Sequence, residues 1–191
     1  MWTSLMLVGC LLAVPVEAAT MEEEAEFRQL REETVRLAEK NAWAGVETKF
    51  LEMSALPVDM PVEVVRLGAD AARNRGDIWL AYQRLLVVMQ KAPEDAQVHE
   101  QVRALRERFG RLTVRRVEAK AIALTVREIP FSPDERGAIE HAAAVLQETG
   151  GFDGMLPAGD YDLGTYHIRI FAGLTPVVIQ RVAGDWKTQD R

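Results

Sequence analysis

Reactive side chains are few in this chain, and their spacing argues against most catalytic arrangements. The three histidines, His99, His141 and His167, are far apart, and none forms a His-x-x-x-His pair, so a His-based zinc site is not expected. The single cysteine is Cys10, inside an apolar run. Beyond residue 18 the serines are Ser54 and Ser132, and no Gly-x-Ser-x-Gly turn surrounds either. Ser132 belongs to Ser132-Pro133-Asp134-Glu135, a capping box with proline at the first helical position, so its hydroxyl is expected to start a helix. Neither a phosphate-cradling P-loop nor a dinucleotide glycine fingerprint occurs. Asp153, Asp160 and Asp162 are read as turn acids, because their spacing is not that of a calcium-binding EF-hand loop. Arg75-Gly76-Asp77 spells an adhesion tripeptide, but at a helix turn it is expected to be a chance match. Neither a cofactor nor a metal is expected. Carboxylates are plentiful, so a Glu/Asp pair doing acid–base work stays open as a reading.

Binding residues are easier to nominate than catalytic ones. Trp43, Trp79 and Tyr82 are the aromatic candidates for contact with a partner, although large aromatics more often fill cores. Arg103, Arg106, Arg108, Arg111, Arg115, Arg116 and Lys120 crowd one basic stretch. A solvated helix end explains it, since cations are favoured at the C-terminal dipole. The formal charge of −6 argues against a nucleic-acid partner, because phosphate contacts need a basic surface.

The opening residues point to a compartment. Leu5 to Val16 is almost wholly apolar, Val16-Glu17-Ala18 has the small-residue pattern of a signal-peptidase site, and the acidic run Met21-Glu22-Glu23-Glu24 follows. Residues 1–18 are therefore expected to be an export signal cleaved after Ala18, which places the protein in the periplasm or cell envelope. Two alternatives stay open. Leu7-Val8-Gly9-Cys10 resembles a lipoprotein lipobox, with Cys10 as the lipidated residue, and the segment is also near the roughly 17-residue lower limit for a membrane anchor. Membrane association is expected only in those two cases. With Cys10 removed, no disulfide is available and the core alone must hold the fold.

Apolar spacing of three and four residues predicts five helices through residues 20–110. Their stripes are Phe27, Leu30, Thr34, Leu37; Trp43, Val46, Phe50, Met53; Val62, Val65, Ala69, Ala72; Ile78, Tyr82, Leu85, Met89; and Val98, Val102, Leu105, Phe109. Asn41, Pro57 with Pro61, Gly76-Asp77 and Pro93 separate them, and Gly110 is expected just past the fifth. Helices this short need each other to be stable, and short loops make neighbours antiparallel.

After Gly110 the period shortens to two. Residues 111–183 are expected to form a small, mainly antiparallel β module with one inserted helix over 133–149, stopped by Gly150. Strands are expected at 112–114, 121–126, around Tyr161 and Leu163, over 166–171 and over 176–182, with residues 184–191 frayed. The fold class is α+β.

Residues 61–94 resemble a tetratricopeptide repeat, a helical hairpin of 34 residues. Ala69, Ala72 and Ala81 match its small positions, Leu85 and Val88 its packing positions, and Pro93 its terminal proline. Val65 stands where the family usually has an aromatic residue. Residues 22–57 would be a diverged first unit and 94–109 a capping helix; a generic helical hairpin is the alternative. The resemblance implies a surface that takes a peptide or protein segment. Leu156-Pro157-Ala158-Gly159-Asp160-Tyr161 resembles PEGA-type β modules of bacterial envelope proteins, which implies a structural or adhesive role and brings no catalytic residue. The expected function is that of a non-enzymatic, exported cell-envelope protein that binds a protein or peptide partner. The alternatives are a carboxylate-based hydrolase of envelope polymer and a self-associating structural protein.

Overall fold

The computed structural model describes residues 19–115, 121–128, 130, 132–182 and 185–188. The expected leader with Cys10, and Arg116 and Lys120 of the basic stretch, lie outside these residues. Five helices come first: α1 (Met21–Glu39), α2 (Trp43–Ser54), α3 (Val62–Asn74), α4 (Ile78–Lys91) and α5 (Ala96–Arg108). Strands β1 (Phe109–Arg115) and β2 (Leu124–Val126) follow, then α6 (Pro133–Thr149). The chain continues through β3 (Phe152–Pro157), β4 (Gly159–Leu163), β5 (Tyr166–Ile170), β6 (Gly173–Val182) and β7 (Asp185–Thr188). The class is α+β, a set of helices followed by a small β module.

Local chemistry sets the helix ends. Thr20 and Glu23 form a capping box at α1, each side chain accepting the other's backbone N–H. Asn41, between α1 and α2, adopts φ 53°, a left-handed conformation that asparagine tolerates. Gly76 turns the chain at φ 81°, and Asp77 then caps α4 by accepting the Leu80 N–H at 3.0 Å. Asp95 caps α5 through the N–H groups of Gln97 and Val98.

Helix α3 sits between two apolar clusters, which is why its buried face is so wide. Val64 joins Phe27, Leu30, Phe50 and Met53 of α1 and α2. Val65 and Ala69 join Ile78, Tyr82, Leu85 and Val88 of α4 and Val98, Val102 and Leu105 of α5. Gly68 lies where a methyl group would overlap the Phe50 ring. Behind that ring is a buried ion pair: Arg84 of α4 donates to both carboxylate oxygens of Glu47 on α2, at 2.6 and 2.8 Å, and to the Gly68 carbonyl at 2.7 Å. Its guanidinium carbon also lies 4.1 Å from the centre of the Phe50 ring. One side chain therefore ties three helices together.

The strands form two sheets, of order β3-β1-β6-β7 and β2-β4-β5. The β1–β6 pairing is parallel and the others are antiparallel. Helix α6 places Ala142 and Leu146 in a cluster with Leu112, Phe152, Leu156, Tyr161, Leu163, Ile170 and Ile179. The α3–α4–α5 cluster continues into this half through Phe109, Ala138 and Met155. The two halves also touch where Gly76 is pressed against the Gly137 backbone and where Arg73 grips Asp134 at 2.5 and 3.1 Å.

Four local expectations are corrected. Helix α5 ends at Arg108, and Phe109 and Gly110 open β1 instead of closing the helix. Gly110 pairs with Leu156 on one side and Gly173 on the other, and a Cβ there would run into the Phe171 backbone, so it serves close strand approach. Of the strand expected over 121–126, only Leu124–Val126 is paired. The Ser132–Glu135 capping box does not form: Ser132 makes no side-chain cap, and both residues accept from Arg108 instead, at 2.9 and 2.8 Å. Within the expected frayed tail, Asp185–Thr188 pairs with β6, anchored by Trp186 stacked on Tyr166 at 6.3 Å between ring centres.

Candidate functional site

A groove opens between α4 and α5. It encloses about 570 Å3 and is lined by Tyr82, Leu86, Met89, His99, Val102, Arg103, Arg106, Glu107 and Gly173. Tyr82, Leu86 and Met89 recur at spacings of four and three along α4, so they line one face. Val102 of α5 faces them, and Arg103 and Arg106 are exposed beside it. The result is an apolar floor with a basic edge.

One end of the floor is braced by an aromatic ladder. Trp79 stacks on Tyr82 with 5.6 Å between ring centres and 12° between planes. The Arg111 guanidinium lies 4.2 Å from the centre of the Trp79 ring, and Arg111 also donates to Asp153 at 2.9 and 3.1 Å. Strand β1 thereby holds the aromatic pair at a fixed angle. Tyr82 is almost wholly buried and belongs to the core as well as to the groove floor.

The structure brings some of the expected binding residues together and leaves others apart. Tyr82, Arg103 and Arg106 share the groove, and Trp79 and Arg111 support it. Trp43, the first residue of α2, does not line it. Arg115 ends β1 and is exposed. Arg108, two residues past Arg106, leaves α5 on another face and reaches Glu135, and from Phe109 the strand period redirects the cations that follow. Leu86, Met89, Val102, His99 and Gly173 complete the groove without any site signal of their own in the sequence. Met89 and Val102 are legible as stripe residues, but that they share one groove with Leu86 is not.

A second cleft lies where the halves meet, about 730 Å3 lined by Arg108, Arg127, Glu128, Glu135, Asp160, Tyr161 and Arg169 among others. Two of its acids, Glu135 and Asp160, are paired with arginines. Arg169 donates to both oxygens of Asp160, at 2.8 and 2.7 Å, and holds that carboxyl below its ordinary range. His167 lies 3.5 Å from Asp160 and 3.1 Å from Asp162. Burial, and then the charge of Glu135, push the Tyr161 phenol up, and its hydroxyl donates to the Pro157 carbonyl at 2.8 Å. Asp153 lies in the other sheet, so it does not join Asp160 and Asp162.

The Arg75-Gly76-Asp77 tripeptide is not displayed as an adhesive loop. Gly76 is buried against α6, and Asp77 caps α4. Among the described residues no cluster of three or more His, Cys, Asp or Glu could hold a metal ion. No helix among them is long and apolar enough to cross a membrane. Comparisons with protein-family models, with curated proteins and with solved structures found no match to this chain.

Proposed function

We propose that this protein is a non-enzymatic, exported bacterial cell-envelope protein that binds a protein or peptide partner through helical hairpins resembling tetratricopeptide repeats. The observation that carries the reading is the α4–α5 groove, where Tyr82, Leu86, Met89 and Val102 form an apolar floor beside Arg103 and Arg106. Apolar floors with a few placed polar groups are the usual form of a recognition site. Support also comes from α3 and α4, where Ala69, Ala72 and Ala81 are buried as the small positions of a repeat would be. The β module, whose turn at Pro157 to Asp160 resembles PEGA modules, shares the helical core and so packs against the helices that form the groove. Export rests on the apolar leader and its Val16-Glu17-Ala18 site.

The test is a photo-crosslinking residue placed at Met89, on the groove, and separately at Leu51, an exposed residue of α2. In envelope fractions, a partner adduct from Met89 and none from Leu51 supports the reading. No adduct at Met89, or the same adducts at both, overturns it. Mass spectrometry of the native N-terminus tests export: a start at Ala19, or a lipidated Cys10, fits, and an intact Met1 in the cytosolic fraction does not.

The second cleft supports a carboxylate-based hydrolase as an alternative reading, since Glu128, Glu135 and Asp160 all line it. It is weaker, because a general acid needs a raised pKa and Asp160 is pushed the other way. Release of soluble fragments from envelope polymer, lost in Glu135→Gln and Asp160→Asn, would replace the binding reading with this one.

A further inference from the structure

The identity of the groove's occupant builds on the binding reading above. We propose that the α4–α5 groove takes a short acidic segment of a partner protein. One bulky apolar side chain of that segment rests on Leu86, Met89 and Val102, and its carboxylates meet Arg103 and Arg106.

Dimensions limit the occupant. Tyr82 and Met89 are seven residues apart on α4, about 10 Å at a helical rise of ~1.5 Å. An extended chain covers that distance in about three residues at ~3.3 Å each. The volume of about 570 Å3 leaves room for one large side chain with its flanking backbone. Met89 suits such a seat, because an unbranched thioether adjusts to irregular shapes.

Charge decides the sign. Arg103 and Arg106 are three residues apart, so they leave α5 from neighbouring positions on one face. Among the described residues Arg106 has no ion pair, and Arg103 is paired only with Glu100, in an exposed i,i+3 contact. Exposed pairs of that kind contribute little and exchange readily for a better partner. Arg103 and Arg106 face a single acid, Glu107, in the groove lining, so the lining itself is net positive on a protein that is negative overall, with Glu100 outside it as the exchangeable partner of Arg103. Two neighbouring arginines match a pair of carboxylates. They are too few to follow a nucleic-acid backbone, whose binders neutralise many phosphates.

The experiment uses the full mature protein and labelled peptides, read by fluorescence anisotropy. The probe is a short peptide with a central leucine flanked by glutamates. Its companions carry glutamine for glutamate, lysine for glutamate, or alanine for leucine, and an oligonucleotide of equal charge completes the set. The acidic peptide is expected to bind best, with the glutamine, lysine and alanine versions all weaker. Arg103→Gln and Arg106→Gln are each expected to weaken the acidic peptide by about fivefold, and added salt to weaken it further. Both arginines are exposed, so these variants should fold, and an unchanged circular-dichroism melt will check that. Equal affinity for the glutamate and glutamine peptides overturns the acidic assignment while leaving a Met89 crosslink to support the groove itself. Equal binding of the oligonucleotide overturns the peptide assignment. Failure of every probe to bind also overturns this proposal, whereas the groove reading falls on the crosslinking outcomes alone: no adduct at Met89, or the same adducts at Met89 and Leu51.

Discussion

Glu47→Ala is expected to damage this protein more than any surface substitution, because it would leave a buried cation without its counter-charge. The side chains of Glu47 and Arg84 retain 8% and 9% of their exposure. Two hydrogen bonds of 2.6 and 2.8 Å join them, so the pair is bidentate and largely removed from water. After truncation Arg84 would keep the Gly68 carbonyl and the face of Phe50, neither of which carries a full negative charge. Arg75, 4.0 Å from Glu47 in the native protein, would add repulsion. Breaking a buried pair in this way costs about 3–5 kcal/mol. For a mature chain of this size, at about 2–4 °C per kcal/mol, the melting temperature should fall by roughly 6–20 °C. Circular dichroism would follow the melt, and urea unfolding would give the free energy. The double variant Glu47→Leu with Arg84→Met removes both charges and refills the space, so it should be more stable than Glu47→Ala. A loss below about 1 kcal/mol for Glu47→Ala, within the range of exposed pairs, would refute the argument. So would a double variant no better than the sum of its singles, since contacting groups should be strongly non-additive.

Gly68→Ala should destabilise by about 1–3 kcal/mol despite alanine's better helix propensity, because its methyl would overlap the Phe50 ring that supports Arg84; urea unfolding would show it. Gly76→Ala should loosen the contact with Gly137 and strain a residue at φ 81°, raising hydrogen exchange at the α3–α4 turn and the start of α6. The Asp160 carboxyl should titrate below an ordinary aspartate by NMR, and Arg169→Gln should move it up. Because its folded pKa lies below its unfolded value, its contribution is present above the unfolded pKa, about 3.9, and lost as pH falls through the folded one. Asp70 runs the other way: burial pushes its carboxyl up, so its ionisation opposes folding as pH rises, and Asp70→Asn should be neutral or stabilising at neutral pH.

How much of the structure could be read in advance depends on how local each signal is. Helix α6 was legible to its ends, because Pro133 presets its first turn and Gly150 takes the left-handed φ of 69° that stops it. The stripes on α1 to α4 were legible too, since a helix repeats every 3.6 residues whatever it packs against. The Gly76-Asp77 break between α3 and α4 was legible as well, and there Asp77 caps α4 using only a neighbouring N–H. The α4–α5 groove was half legible: its aromatic and basic residues could be nominated, but which of them share one opening depends on how two helices lie together.

The α+β class, the succession of helices before strands and the residues available for binding all follow from chain order, because composition, period and cap chemistry act within a few residues. Packing between distant segments is what makes Gly110 open a strand between two partners far along the chain, Arg108 draw Ser132 and Glu135 away from their cap, and Trp186 hold a tail strand against Tyr166. All three share one cause. Each outcome is a competition between a local preference and a contact whose partner lies far off in sequence, and the distant contact wins because it buries apolar surface or pairs charge that the local choice would leave in water.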